Sequence, residues 1–182
     1  MSMKFNIYDD LYRYCGDRTF KSLLRYLLFT PGFRYIFFLR KTQNASHTIS
    51  RVFWKLILRQ VMLRTGIQIP PETSISDGFR IVHFGNIVIN PLAVIGKNFN
   101  IAQGVTIGYA EGKNAGAPII GDNVCVQPNA VIVGGVKIGN DAFIAPNAFV
   151  NIDVPEGCIA LGNPATIIYK EKASAKYIVY KL

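Results

Sequence analysis

The chain has 182 residues, half of them hydrophobic, which suits one compact domain with an appendage. Its net charge of +9 is uneven: residues 1–66 hold twelve of the twenty basic residues and three of the eleven acidic ones, whereas the remainder holds eight of each. No stretch reaches the roughly 20 apolar residues of a membrane span and no secretory signal is visible, so a cytoplasmic protein is expected.

Residues 1–66 are predicted to form a basic α-helical region. Leucines recur at helical spacing between 19 and 29, where a Thr-Pro-Gly sequence then ends the helix. The aromatic run 33–39 fits either a helix or a strand, and a polar loop follows it. A further helix is predicted from about 49 to 64, with basic residues spaced by four along one side and apolar residues on the other.

Residues 67–155 carry a β-branched aliphatic residue at every sixth position, in three runs. This period excludes an amphipathic helix, which needs about 3.6, and a hairpin array, which needs alternation. It is typical of a parallel β-helix, in which each face of a coil is one short strand and an isoleucine stacks at each corner. The residues are Ile69, Ile75, Ile81; Ile95, Ile101, Ile107; and Ile120, Val126, Ile132, Ile138, Ile144, Val150.

Two irregularities interrupt the repeat and indicate where function lies. The interval from Ile81 to Ile95 is two residues longer than two hexads, which predicts a bulge at 83–86. The interval from Ile107 to Ile120 is seven residues longer than one hexad, which predicts a loop over 108–119. Solenoids commonly place such insertions on the binding face. A turn-rich exit and tail form 156–182, and the tail pattern leaves strand and short helix both open.

The basic N-terminal region has two predicted roles. A parallel β-helix exposes strand edges at its end, so the helices are expected to cap it. Their charge, and the stripe of Arg51, Lys55 and Arg59, also predict contact with anionic lipid at the inner face of the plasma membrane. Nucleic acid is not expected as a partner, because neither helix-turn-helix spacing nor a base-stacking module is evident.

The hexads, the loop and the Val-Pro…Gly-Asn-Pro-Ala ending resemble the hexapeptide-repeat acyltransferases. The segments around His83 and over 101–108 are similar to the serine acetyltransferase branch, and to the capsule and colanic-acid O-acetyltransferases related to it. The resemblance covers roughly 65–168. It implies a mainly β fold, a left-handed parallel β-helix with an N-terminal α-helical cap. It also implies a homotrimer, acetyl-CoA as donor, and acyl transfer in a cleft between subunits.

His83 is the predicted general base. Acetyl transfer from a thioester to a hydroxyl needs a group that takes the hydroxyl proton near neutral pH, and imidazole, with an ordinary pKa of about 6.5, suits that task. The chain has two histidines. His47 lies in a polar loop, where a solvated surface role is favoured, whereas His83 lies where the family has its base. Gln68 and Asn86 complete the predicted catalytic group; Gln68 stands where serine acetyltransferases carry an aspartate, and a backbone carbonyl is the other candidate for orienting the imidazole.

The resemblance also places the acetyl-CoA contacts along the coils that follow the loop. The positions that match are Gly108, Tyr109, Pro128, Asn129, Ala145 and Pro146, with Lys170 and Lys172 as candidates for the phosphates. No metal is expected. A zinc site of the carbonic-anhydrase-like β-helix proteins needs three histidines, and two per chain do not supply that shell. The three cysteines have no metal-like spacing and are expected to be reduced thiols.

The acceptor is predicted from departures from the serine enzymes. Gln68 and Val82 replace acidic residues, and Gly116 and Ala117 replace an arginine and a histidine, so the family's groups for an ammonium and a carboxylate are missing. A neutral sugar hydroxyl, in a surface polysaccharide or a lipid-linked saccharide precursor, is therefore the expected acceptor. The alternative is serine O-acetyltransferase of cysteine biosynthesis, and a non-catalytic binding module is a further alternative.

Overall fold

The structure, a computed structural model, describes residues 5–182, and within this range the N-terminal region consists of helices joined by short connections. The helices are α1 (Ile7–Cys15), α2 (Phe20–Phe29), α3 (Pro31–Gln43) and α4 (Thr48–Thr65). The ambiguous aromatic run is therefore part of a helix, which begins with proline at its first position, where no backbone N–H is needed. Glycines in the left-handed conformation end α1 and α4, as is common at helix C-termini.

Fourteen short strands follow, arranged as the three faces of a parallel β-helix. Sheet A has the order β12-β9-β6-β3, sheet B β1-β4-β7-β10, and sheet C β14-β13-β11-β8-β5-β2. Every pairing is parallel except that of β13 with β14. The strands are β1 (Ser74–Ile75), β2 (Arg80–Ile81), β3 (Val88–Ile89), β4 (Val94–Ile95), β5 (Asn100–Ile101), β6 (Thr106–Gly108), β7 (Ile119–Ile120), β8 (Cys125–Val126), β9 (Val131–Val133), β10 (Lys137–Ile138), β11 (Phe143–Ile144), β12 (Phe149–Val150), β13 (Ile159–Leu161) and β14 (Thr166–Ile168).

The hexad residues form one continuous buried column. All twelve are at most 2% exposed, and they belong to a single core cluster. Eleven of them lie in strands between β1 and β12, and each is the second residue of its strand, as in the pair Val94–Ile95. They stack along the faces of the prism, and smaller residues such as Val105 and Ala130 fill the corners. The expected placement of isoleucines at the corners is therefore wrong, whereas the expected column is confirmed.

The helices cap the open edge of the first coil with side-chain hydrogen bonds. The Tyr35 hydroxyl donates to the Ile69 carbonyl at 2.9 Å and accepts from the Ile69 N–H at 3.0 Å. The Tyr14 hydroxyl makes the same two bonds with Ile81. Arg40, fully buried, donates to the Ile75 carbonyl at 2.7 Å. One helix side chain thus satisfies the backbone at each hexad position of the exposed edge, as buried backbone groups require.

A buried ion pair links α1 and α3, the two helices that carry the capping side chains. The Arg40 guanidinium lies 2.8 Å from a carboxylate oxygen of Asp10, and both side chains are fully buried. Asp10 also accepts from the Phe79 N–H at 2.8 Å. Burial raises the pKa of Asp10, whereas Arg40 and these hydrogen bonds oppose the rise. Removing one partner alone would leave an uncompensated charge in the interface between helices and solenoid.

The C-terminal tail begins with β14, which pairs antiparallel with β13, and the residues that follow pack against sheet C. Residues 171–177 are turns, and the Tyr177 carbonyl accepts from the Asn100 amide at 2.9 Å. The Tyr177 ring lies 4.6 Å, centroid to centroid, from that of Phe143. The predicted strand is therefore present over 166–168, and the rest of the tail is neither strand nor helix.

Helices α2 and α4 leave apolar side chains in solvent. Among residues 5–182, no helix is long and apolar enough to cross a membrane. The basic residues of α4 are partly compensated, since Lys55 pairs with Glu72 at 3.3 Å. The exposed apolar side chains include Phe20, Phe29, Ile49, Val52, Phe53, Leu56 and Leu63.

The capping bonds predict a stability effect. Replacing Tyr35 with Phe leaves the N–H and carbonyl of Ile69 without their partner, and we expect a loss of about 1–3 kcal/mol in the free energy of unfolding. Denaturant unfolding of Tyr35→Phe measures this loss. Tyr169→Phe is the matched control, because Tyr169 is 85% exposed. Equal stability of the two variants would contradict this account of the cap.

Candidate active site

The corner between sheets C and A is built from stacked turns. Four turns, 82–87, 102–105, 127–130 and 145–148, connect consecutive strands of the two sheets. Backbone hydrogen bonds tie each turn to the next: Gly104 N–H to the Gly85 carbonyl (2.9 Å), Asn129 N–H to the Gln103 carbonyl (3.0 Å) and Asn147 N–H to the Pro128 carbonyl (3.0 Å). This C–A corner is therefore a rigid column of turns with one enlarged member.

His83 lies in the enlarged turn, which has two more residues than the three below it. Its side chain is exposed and borders two cavities. One, of about 270 Å³, lies on sheet C and is also lined by Arg80, Gln103, Cys125, Gln127 and Tyr177. The other, of about 300 Å³, lies at the junction of α2 and α3 beside Thr30 and Gly32. The predicted bulge therefore presents the only histidine of the solenoid to open space on both sides.

The structure brings Asn86 near His83 but not Gln68. Asn86 belongs to the same turn and has a φ of 49°, in the left-handed region that asparagine tolerates. Gln68 lies one strand away, paired with Val88 beside sheet A, and lines a different cavity together with α4. Among residues 5–182, no hydrogen bond joins Gln68 to His83 or fixes the imidazole. The orientation of His83 by Gln68 stays a prediction.

The predicted acetyl-CoA residues are spread over three corners of one chain. Pro128, Asn129, Ala145 and Pro146 lie on the C–A corner, directly in line with His83. Gly108 and Tyr109 lie at the opposite end of sheet A, where the loop begins and where Ala110 pairs with Gly116. Lys170 and Lys172 lie at the third corner, beside Gly157. A single chain thus does not gather these residues around one groove.

Several residues of the His83 cavity were not predicted from the sequence. Arg80, Gln103 and Cys125 line it, although none was predicted as a site residue. The Nε of Arg80 and the Oε1 of Gln103 are buried and without a hydrogen-bond partner among residues 5–182. One signal was available: Arg80 is the only Lys or Arg between Arg64 and Lys97.

Cys125 lies in this cavity as an unreactive thiol. It is 1% exposed and accepts a hydrogen bond from the Gln127 amide at 3.1 Å. Burial raises the pKa of Cys125 to about 11, so the thiol stays protonated near neutral pH. Because the thiolate is the nucleophilic form, the cavity has no activated cysteine for a covalent acyl intermediate. Within the described range 5–182, no cluster of three or more His, Cys, Asp or Glu residues could hold a metal ion.

Comparison with known proteins shows that this chain is similar in sequence to a family model and to several enzymes. Residues 117–151 match the family model "Bacterial transferase hexapeptide (six repeats)". A serine acetyltransferase of Synechococcus elongatus is 31% identical over 156 residues, which are 85% of this chain and 64% of that enzyme. One of Helicobacter pylori is 37% identical over 110 residues, 59% of this chain and 64% of that enzyme. The chain thus spans less than two thirds of these relatives.

Solved structures of serine acetyltransferases are similar to this chain as well. A serine acetyltransferase in complex with CoA superposes with a TM-score of 0.74 at 26% identity, covering 89% of this chain and 68% of that one. The Neisseria gonorrhoeae enzyme in complex with serine gives 0.68 at 29% identity, covering 88% and 66%. The predicted resemblance to hexapeptide-repeat transferases is confirmed, in the serine acetyltransferase-like branch. The fold is a left-handed parallel β-helix with an N-terminal helical region, as predicted.

The predicted polysaccharide function is wrong. The relatives at 31% and 37% identity are serine acetyltransferases, and one of the similar structures contains serine. The predicted closeness to capsule and colanic-acid O-acetyltransferases has no support in these matches. The prediction considered only the positions where the family carries its charged residues, and it overlooked that Arg80 contributes a cation to the His83 cavity from another position. Membrane contact through residues 1–66 also gains no support from these relatives.

Because the Cys125 thiol is protonated, we predict that substitution of this residue is tolerated. We expect Cys125→Ser to retain acetyl transfer within about threefold of the parent, because a protonated thiol supplies no nucleophile. Cys158→Ser, a buried cysteine outside the cavity, is the matched control. Steady-state thiol release measures both variants. A complete loss in Cys125→Ser alone, with native secondary structure, would contradict direct transfer.

Proposed function

We propose that this protein is an acetyl-CoA-dependent O-acetyltransferase whose acceptor is the hydroxyl of serine. The observation that carries the proposal is the position of His83: it is the one titratable group of the enlarged turn, and it borders a cavity small enough for an amino acid. Similarity to serine acetyltransferases along 85% of the chain supports the acceptor, and the CoA complex of a similar enzyme supports the donor.

The chemistry requires a base and two positioned substrates. The serine hydroxyl oxygen attacks the thioester carbonyl carbon while the imidazole of His83 takes the hydroxyl proton. The tetrahedral intermediate then collapses, the carbon–sulfur bond breaks, and the thiolate of CoA takes the proton back from the imidazolium. The products are O-acetylserine and CoA, and His83 returns to its neutral form. Direct transfer of this kind needs neither a metal ion nor an acyl-enzyme.

We propose that three chains assemble around sheet A. Sheet A runs from the C–A corner to the corner that bears the loop, so three such sheets facing one axis would bring the loop corner of each chain against the His83 corner of the next. Gly108 and Tyr109 of one chain would then face Pro128 and Pro146 of its neighbour. A ring of this kind would gather the predicted acetyl-CoA contacts of these two corners into one cleft.

The outward side chains of sheet A support this assembly. Val88, Thr106, Val131 and Phe149 are aligned by the strand register, so they form a mostly apolar row on the outer face. Val88 is 37% exposed in the single chain. The corresponding row on sheet B contains Ser74, Val94, Ile119 and Lys137 and so includes a charge. An apolar row without charge is the composition expected of a buried interface core.

The two histidines provide a matched test of the base. We expect His83→Ala to lower kcat by roughly 100- to 10,000-fold, the usual contribution of general base catalysis, while acetyl-CoA binding is retained. His47→Ala, at the start of α4, should keep the parent rate. Thiol release from acetyl-CoA in the presence of L-serine measures the rates, and calorimetry measures CoA binding. Undiminished turnover in His83→Ala would overturn the assignment.

Two valines of consecutive strands test the assembly. Val88 on sheet A and Val94 on sheet B both point outward from the prism, and both would become lysine. We expect Val88→Lys to dissociate the trimer and abolish transfer, because a charge would be buried in the interface, whereas Val94→Lys should stay trimeric and active. Sedimentation velocity gives the oligomeric state. A parent protein that sediments as a monomer would contradict the shared cleft.

A further inference from the structure

We infer that Arg80 and Gln103 recognise the amino-acid acceptor, with the Arg80 guanidinium binding its carboxylate and the Gln103 carbonyl oxygen accepting from its ammonium group. The inference rests on the proposed function, since it names the groups that hold serine beside His83. It concerns residues at positions other than Gln68, Val82, Gly116 and Ala117, where this chain lacks the charged groups of the serine enzymes.

Two buried polar atoms of this cavity, one a hydrogen-bond donor and one an acceptor, have no partner. Arg80 Nε is a donor without an acceptor, and Gln103 Oε1 is an acceptor without a donor, among residues 5–182. Leaving such buried groups unpaired is unfavourable, and more so for a charged group. Both residues line one cavity. A zwitterion supplies both missing partners, because its carboxylate accepts hydrogen bonds and its ammonium group donates them.

The lining of the cavity carries positive charge. No Asp or Glu is among the residues that line it, so nothing on its wall neutralises Arg80. A second guanidinium lies behind the wall: Arg13, fully buried, donates to the Asn100 side-chain oxygen at 2.7 Å and leaves its own NH1 unpaired among the described residues. Burial, and then the charge of Arg80, lower the pKa of Arg13 to about 10. The wall of the cavity thus has a cation and no carboxylate, which favours an anionic group in this space.

The position of Arg80 and Gln103 and the size of the cavity also fit a small acceptor. Arg80 is the first residue of β2, three residues before His83, and Gln103 belongs to the turn directly below the His83 turn. An acceptor held between Arg80 and Gln103 would lie beside the imidazole of His83, the proposed general base. The cavity of about 270 Å³ is below the range of about 300–1,000 Å³ that holds drug-sized ligands, which suits a small acceptor.

A purely structural role for Arg80 has weaker support. Its guanidinium carbon lies 5.5 Å from the Tyr14 ring centroid, at the outer limit of a cation–π contact. Among residues 5–182, no carboxylate forms a salt bridge with it. Arg13, in contrast, binds two backbone carbonyls and one amide oxygen and is part of the core. Arg80 is thus the guanidinium left available for a ligand.

The test is a comparison of acceptors across Arg80 variants. We expect Arg80→Met to raise the KM for L-serine by about 10- to 100-fold, the loss of one charge-assisted pair, with kcat within about threefold. The KM for serinol, which has no carboxylate, should stay unchanged. Arg80→Lys should recover part of the serine affinity. Arg64→Met, an exposed arginine at the end of α4, is the matched control.

A second variant tests the amide. Gln103→Leu should raise the KM for L-serine and leave that for 3-hydroxypropanoate, which has no ammonium group, unchanged. If Arg80→Met fails to fold, the parent enzyme still decides: L-serine must be preferred over L-serinamide by about tenfold or more, and equal KM values would overturn the inference.

Different outcomes would overturn the role of Arg80 and the proposed serine acetyltransferase function. Turnover of L-serine by the parent, together with an unchanged KM in Arg80→Met, would overturn the role of Arg80 and leave the proposed function intact. A parent protein that binds acetyl-CoA and yet gives no turnover with L-serine would overturn the proposed function, and this inference with it.

Discussion

The open edge of the first coil is the constraint on which the rest of the structure depends. A parallel β-helix ends in a row of unpaired backbone groups, and an uncovered edge favours pairing with other chains. Here Tyr35, Arg40 and Tyr14 bind the backbone at Ile69, Ile75 and Ile81, one side chain for each face of the prism. The same six-residue period that builds the column thus sets where the helices must supply polar groups. Helical cap and solenoid are one structure.

The stacked coils of the solenoid fix the position of His83 relative to the capped first coil. Each turn of the C–A corner is held by a backbone hydrogen bond to the turn below, so residues far apart in sequence share one edge. The enlarged turn at His83 is the exception in an otherwise regular column, and it projects the imidazole beside a cavity whose wall comes from three successive coils. A rigid scaffold with one irregular loop is a common way of placing catalytic groups.

The sequence allowed accurate prediction of what its period determines. The buried column, the position of the bulge and the helical character of 19–29 and 49–64 all followed from spacing and turn residues. The run 33–39 was ambiguous because apolar residues occupy nearly all of its positions, and in the structure it packs as a helix against both α4 and the first coil. The tail was undecidable for a similar reason, since contacts with sheet C determine its path.

The site was predicted only in part, and the reason is physical. Periodicity tells which residues point inward, but it does not tell which outward residues meet at a corner. Arg80 and Gln103 are outward or turn residues of different coils, and their unpaired atoms become visible only once the coils are stacked. A neutral acceptor was predicted because this chain lacks the family's charged residues at their usual positions. The cavity itself, however, contains the Arg80 guanidinium.

The most direct measurement of the central claim is the identity of the product. The full chain, incubated with acetyl-CoA and isotopically labelled L-serine and quenched in acid, would be examined by mass spectrometry. We expect labelled O-acetylserine formed in one-to-one proportion with free CoA. Unchanged serine together with intact acetyl-CoA would contradict it.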